Sequence, residues 1–325
     1  MKRWLVTLLL ASLSGSPHAE NSQSLDPSAW AQRISSSAHQ LNYVGTFVYQ
    51  HGDQVETSRI VHRVDESGEQ EKLETLDGPP REIIRINDQV LCYLPGNKGV
   101  RVEKRHAQKS FPALLPKQLE GMVERYNIKL GEQERIAGYD CQVVILEPRD
   151  GYRYGHKFWA DMSSGLMLKA VTLNEKGQIV DQFAFTQIAI GGQIDRSLIR
   201  SRYAGQKLFH HPEPAAHKEA PSADSGWTIK DAPQGFKKIM EKARSMPGRK
   251  VPVMHMVLSD GLVAVSVFIE PLAGMSNKPM DGAFNQGSIN VYAKPVAGNQ
   301  VTVLGEVPAA TVLQVANSLV FQGKK

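Results

Sequence analysis

Residues 98–109 (KGVRVEKRHAQK) set Lys98, Arg101, Lys104, Arg105 and Lys109 against a single acid, Glu103. Clustered ammonium and guanidinium groups suit phosphate or carboxylate, which arginine binds bidentately. A solvated loop is the plain alternative. A second basic stretch, 227–250, carries Lys230, Lys237, Lys238, Lys242, Arg244, Arg249 and Lys250 against Asp231 and Glu241. It suits docking of an acidic partner, and a solvated face explains the same charges. His210, His211 and His217 lie close together among prolines, a setting that seldom supplies the rigid, hydrogen-bonded ligands a transition metal needs. Polar linker residues are the better reading there, so neither a metal site nor a cofactor is expected. His62 and His255 fall within predicted strands and read as ordinary packed or surface residues.

Cys92 and Cys141 are the only cysteines, and they lack the C-x-x-C spacing of a redox pair. In an oxidising compartment an even pair predicts one disulfide, closing a loop of about 50 residues and worth roughly 4 kcal/mol on the chain-entropy model. Two buried thiols are the alternative. The chain has no H-E-x-x-H, G-x-S-x-G, phosphate loop or dinucleotide fingerprint, which argues against an enzyme.

The compartment is read from the first nineteen residues. Lys2 and Arg3 precede an apolar run over 4–10, and Pro17-His18-Ala19 ends a predicted signal peptide, 1–19. The run is well short of the roughly 20 residues that span a bilayer. A periplasmic or secreted protein beginning near Glu20 is expected. Removing Lys2 and Arg3 lowers the formal charge from +5 to +3, mildly basic, which gives nucleic-acid binding little support.

Turn signals divide the rest. Asp26 caps and Pro27 opens a helix on which Trp30, Ile34, Ala38 and Leu41 share a face. Short β-rich runs follow at 43–50, 55–64, 71–76, 81–86 and 89–94, with breaks too short for crossover helices, so neighbours should be antiparallel. After a predicted short helix over 113–125, strands resume at 126–130, 141–147, 153–160, 166–173 and 178–190. About ten strands and two helices make one curved or partly closed sheet with helices on its concave side, a shape suited to a long apolar ligand. From 204 to 226 proline, alanine, serine and histidine replace the apolar pattern, predicting an extended linker. Beyond it, runs at 251–258 and 262–270, then 288–296 and 300–307, form two hairpins, and Pro308 starts a helix bearing Val312, Val315, Ala316 and Leu319. The expected class is therefore α+β: a large domain at 20–203, a linker at 204–226 and a small sheet-and-helix domain at 227–325.

Five stretches resemble one known family: 76–85 (LDGPPREIIR), 153–161 (RYGHKFWAD), 173–178 (LNEKGQ), 260–272 (DGLVAVSVFIEPL) and 301–308 (VTVLGEVP). Together, in this order, they are similar to the MucB/RseB proteins, periplasmic negative regulators of the envelope-stress sigma factor. The resemblance covers essentially the whole mature chain. It implies a large half-open antiparallel β-barrel with helices, like the lipoprotein carriers of the periplasm, joined to the smaller domain. It also implies a partner, the periplasmic domain of a membrane anti-sigma factor of the RseA/MucA type. That partner is shielded from its first protease until a lipid signal, thought to be lipopolysaccharide, releases it. No reaction is implied, and self-association is common in the family. On this reading Lys98, Arg101, Lys104, Arg105 and Lys109 are expected at an anionic-lipid site, and Lys237, Lys238, Lys242, Arg244, Arg249 and Lys250 at the anti-sigma surface. A lipid or lipoprotein carrier is the competing function, since it shares the large domain's shape but has no need of the second domain.

Overall fold

A computed structural model describes residues 26–87, 89–93, 100–104, 111–119, 121–203, 208–209, 225–244, 251–275 and 278–323. The expected signal peptide and most of the expected linker lie outside these residues.

The first helix, α1 (Pro27–Gln40), forms as its caps dictate: the Asp26 carboxylate accepts a hydrogen bond from Ala29 N–H at 2.9 Å. It buries Trp30, Ala31, Ile34 and Ala38. An antiparallel meander follows: β1 (Tyr43–His51), β2 (Gln54–Asp65), β3 (Gly68–Thr75), β4 (Arg81–Ile86), β5 (Gln89–Tyr93) and β6 (Val100–Lys104). After a one-turn helix, α2 (Met122–Arg125), a second meander runs through β7 (Tyr126–Ile136), β8 (Tyr139–Pro148), β9 (Gly155–Asp161), β10 (Met167–Leu173) and β11 (Ile179–Ile190). Pairing of β1 with β11 fuses the two meanders. Inside the expected linker, β12 (Leu208–Phe209) adds to β6 in parallel. The twelve strands of this sheet, counted over the described residues, run β12-β6-β5-β4-β3-β2-β1-β11-β10-β9-β8-β7, so it stays open between β7 and β12.

Its concave side is filled by the chain itself. Alternating residues of β1 present Tyr43, Gly45 and Phe47 inward, and Gly45 is required: a Cβ there would lie 2.7 Å from the Phe185 ring. Trp30 and Ile34 from the helix meet Phe47, Phe158, Trp159 and Phe185 in one core. Phe111 and Leu115 enter the same core, the Phe111 ring lying 5.1 Å from Phe47, 5.3 Å from Phe183 and 4.9 Å from Phe185. The helix expected over 113–125 shrinks to α2. Pro112 and Pro116 cannot donate to a helical ladder, and the segment instead feeds apolar side chains into the core. The expected site for a long apolar ligand is thus occupied by Phe111, Leu115 and α1.

The smaller sheet is built from β14 (Lys237–Arg244), β15 (Val253–Ser259), β16 (Ala264–Pro271), β17 (Gly282–Gln286), β18 (Ile289–Val296) and β19 (Asn299–Gly305). Its order is β14-β15-β16-β19-β18-β17. The two expected hairpins are its middle, while β14 and β17 extend it at either edge. The final helix, α3 (Ala309–Asn317), packs Val312, Val315 and Ala316 against Val267, Val301 and Val303. A two-stranded ribbon of β13 (Trp227–Ile229) and β20 (Leu319–Phe321) completes this body. Among the described residues no helix is long and apolar enough to cross a membrane.

Candidate partner-binding surfaces and the joint between the sheets

The structure separates the two basic clusters. Arg101 and Lys104 lie on β6, opposite Cys92 and Gln89, close to the open edge of the large sheet. Lys98, Arg105 and Lys109 lie outside the described residues. Lys237, Lys238, Lys242 and Arg244 form half of β14, the edge strand of the small sheet, and all four are exposed. Arg249 and Lys250 fall outside the described residues, as do His210, His211 and His217.

The expected Cys92–Cys141 disulfide is not formed. Cys92 sits on β5 and Cys141 on β8, with seven strands between them in the sheet, a separation that the short reach of a disulfide does not match. Cys141 is fully buried, and burial, reinforced by Asp161, pushes its thiol up to about 12.

Between the two sheets lies a joint that sequence reasoning did not find. At its centre Arg153 Nε donates to Asp260 Oδ2 at 2.8 Å, and neither side chain is exposed to solvent. Nη1 donates to the Asp150 carboxylate and Nη2 to the Gln234 carbonyl, and the Phe236 ring lies 5.1 Å beneath the guanidinium carbon. On the other side Asp260 Oδ1 accepts the N–H groups of Leu262 and Val263, each at 2.9 Å, which fixes the β15–β16 turn. Arg125 donates to the Asp260 carbonyl at 2.8 Å. Leu262 packs against the large core.

A second seam runs beside the first. Thr311 Oγ1 donates to the Tyr152 carbonyl at 2.8 Å, and Asn290 Nδ2 to the Tyr154 hydroxyl at 2.9 Å. The His51 ring points its Nε2 edge at Gly287-Ser288, where Ser288 N–H donates to Nε2 at 3.2 Å. Gly287 has φ +61° and a Cβ would overlap the ring, so only glycine fits. Ser288 Oγ also stands 3.4 Å from His51 Nδ1, yet Ser288 is 1 % exposed, so the pair seals the joint rather than presenting a nucleophile. Asp181 of the large sheet and Glu306 of the small body face this seam. Burial raises both pKa values, and Asp181 raises that of Glu306 further.

The signal for the joint was present in the sequence but not its pairing. Arg153 opens the stretch 153–161 and Asp260 opens the stretch 260–272, two of the five that carry the family resemblance. A separation of 107 residues leaves no local pattern to connect them.

Comparison with known proteins agrees over both bodies. The MucB/RseB N-terminal domain family matches residues 26–203, and the MucB/RseB C-terminal domain family matches 221–320. The sigma factor AlgU regulatory protein MucB of Pseudomonas aeruginosa is 32 % identical, covering 98 % of each chain. The sigma-E factor regulatory protein RseB of Salmonella typhimurium is 26 % identical over 98 % of this chain and 97 % of its own. Among solved structures, MucB in complex with MucA(peri) matches with a TM-score of 0.74 at 29 % identity, covering 92 % of this chain and all of that one. A crystal structure of MucB matches at 0.64 and 28 % identity, covering 91 % of this chain and 98 % of that one.

Proposed function

The chain belongs to the MucB/RseB family, and from that premise we propose that it is a periplasmic regulator that binds the periplasmic domain of a membrane anti-sigma factor of the MucA/RseA type. Bound, it shields that domain from site-1 proteolysis, and lipopolysaccharide or a related lipid releases it. The observation that carries the reading is the likeness, across both sheets, to a MucB chain solved with MucA(peri). The likeness to that chain exceeds the likeness to the MucB crystal structure, 0.74 against 0.64. The Arg153–Asp260 pair lies between the two sheets that share this likeness.

The mechanism is linkage. One ligand binds and protects, another binds preferentially to the released form, and their coupling sets protease access. In this reading 20–203 and 227–325 work as two domains joined by 204–226. The basic strand β14 of the smaller one meets the anti-sigma domain, and 98–109 grips the phosphates of the lipid. Acyl chains reach the concave face by displacing Phe111 and Leu115, which belong to the core there. Calorimetric titration of the mature protein with the purified anti-sigma domain tests the first step. Neutralising Arg101, Lys104 and Arg105 tests the lipid step, and unchanged lipopolysaccharide affinity would remove it.

A further inference from the structure

The edge strand β14 pairs with β15 on one side, and the described residues put no strand on its other side. It carries Lys237, Lys238, Lys242 and Arg244 against one acid, Glu241. Glu241 is already engaged: the Ser225 hydroxyl and the Lys238 ammonium both donate to its carboxylate. The ladder slips between Lys238 and Met240, leaving Ile239 62 % exposed at the edge. An open edge with an exposed branched apolar residue is a template for strand pairing, and edge lysines normally suppress it by repelling like strands. That repulsion disfavours a second copy of this chain as the occupant. It becomes attraction for an extended peptide rich in carboxylates.

A cleft adjoins the same edge. Trp227, Thr228 and Ile229 of β13 face Lys238, Met256 and Leu258 across a space of about 200 Å³. Thr228 Oγ1 is buried there with no hydrogen-bond partner. An unsatisfied buried hydroxyl costs stability, so its place beside a cleft whose other polar side chain is Lys238 points to a ligand group that completes it.

We propose that an extended acidic segment of the anti-sigma domain adds to β14 as a seventh strand of the small sheet. The backbone of β14 supplies affinity through ladder hydrogen bonds. Its carboxylates lie against Lys237, Lys242 and Arg244, and one side chain enters the cleft and bonds Thr228 Oγ1. This rests on the anti-sigma reading and specifies how that partner is held.

The test is hydrogen exchange of the full mature chain, alone and saturated with a purified MucA/RseA-type periplasmic domain, followed by two variants. Strand addition slows amide exchange within Lys237–Arg244 at least tenfold on binding. Thr228→Val lowers affinity at least fivefold, whereas a purely structural threonine would give a more stable chain with unchanged affinity. The double variant Lys242→Glu/Arg244→Glu, both positions exposed, weakens binding at least tenfold at low salt and flattens its salt dependence. Full-affinity binding with unchanged β14 exchange overturns strand addition and leaves the anti-sigma reading standing. Absence of any binding overturns both.

Discussion

Asp260→Asn tests the joint with little collateral damage. Asparagine keeps an oxygen for the Leu262 and Val263 N–H groups but removes the charge facing Arg153. Both side chains of the pair have zero exposure, so the loss strands a buried guanidinium with only the partly exposed Asp150 as a charged neighbour in contact. Breaking a buried pair by removing one partner costs about 3 kcal/mol, and Arg153→Met should cost less, because the Asp260 carboxylate keeps the Leu262 and Val263 N–H groups and Arg125 Nε at 3.9 Å. The double variant removes both charges, so its cost should fall short of the sum by at least about 1.5 kcal/mol. Urea unfolding of the four proteins at pH 7 measures the cycle. Single-variant losses below about 0.5 kcal/mol, with no coupling, would refute the claim that this pair ties the two sheets together.

The pair also has a functional consequence: Asp260→Asn should weaken binding of the anti-sigma domain at least threefold by calorimetry, and unchanged affinity would separate the joint from partner recognition. Burial, reinforced by Arg244, lowers the His255 pKa to about 4. The unfolded chain therefore takes up a proton near pH 6.5 that the folded chain refuses, so stability is full above that pH and falls as pH drops toward 4, by at most about 3 kcal/mol. His255→Phe, keeping the stack on Phe268, should flatten that part of the pH profile of thermal unfolding, and an unaltered slope would exclude the histidine as its source. Because Cys141 is buried with its thiol raised to about 12, iodoacetamide at pH 8 should leave it unlabelled in the native protein. After unfolding without reductant, mass spectrometry should find both cysteines alkylated, and a retained two-dalton deficit would restore the disulfide.

What could be read in advance was local. The helix α1 announced itself through the Asp26 cap, Pro27 and the Trp30–Ile34–Ala38 stripe, and the meanders through short Gly-, Asp- and Asn-bearing breaks that leave room only for hairpins. The failures share a cause in long-range context. Residues 113–125 have helical composition, yet the core recruits Phe111 and Leu115 and leaves only four residues helical. The lysines of β14 hid a strand because an edge strand exposed on both sides shows no apolar alternation. Leu208–Phe209 reads as linker and pairs with β6 all the same. Of the candidate residues, charge alone singled out those of β14, whereas the Arg153–Asp260 joint needed the fold to bring its halves together.

Protection of a purified anti-sigma periplasmic domain from its site-1 protease, with the mature protein present and then with lipopolysaccharide added, tests the central claim most directly. Protection by the protein, lost in proportion to added lipid, is the predicted result. Cleavage that proceeds at the same rate with and without the protein would contradict the regulator and favour a lipid carrier.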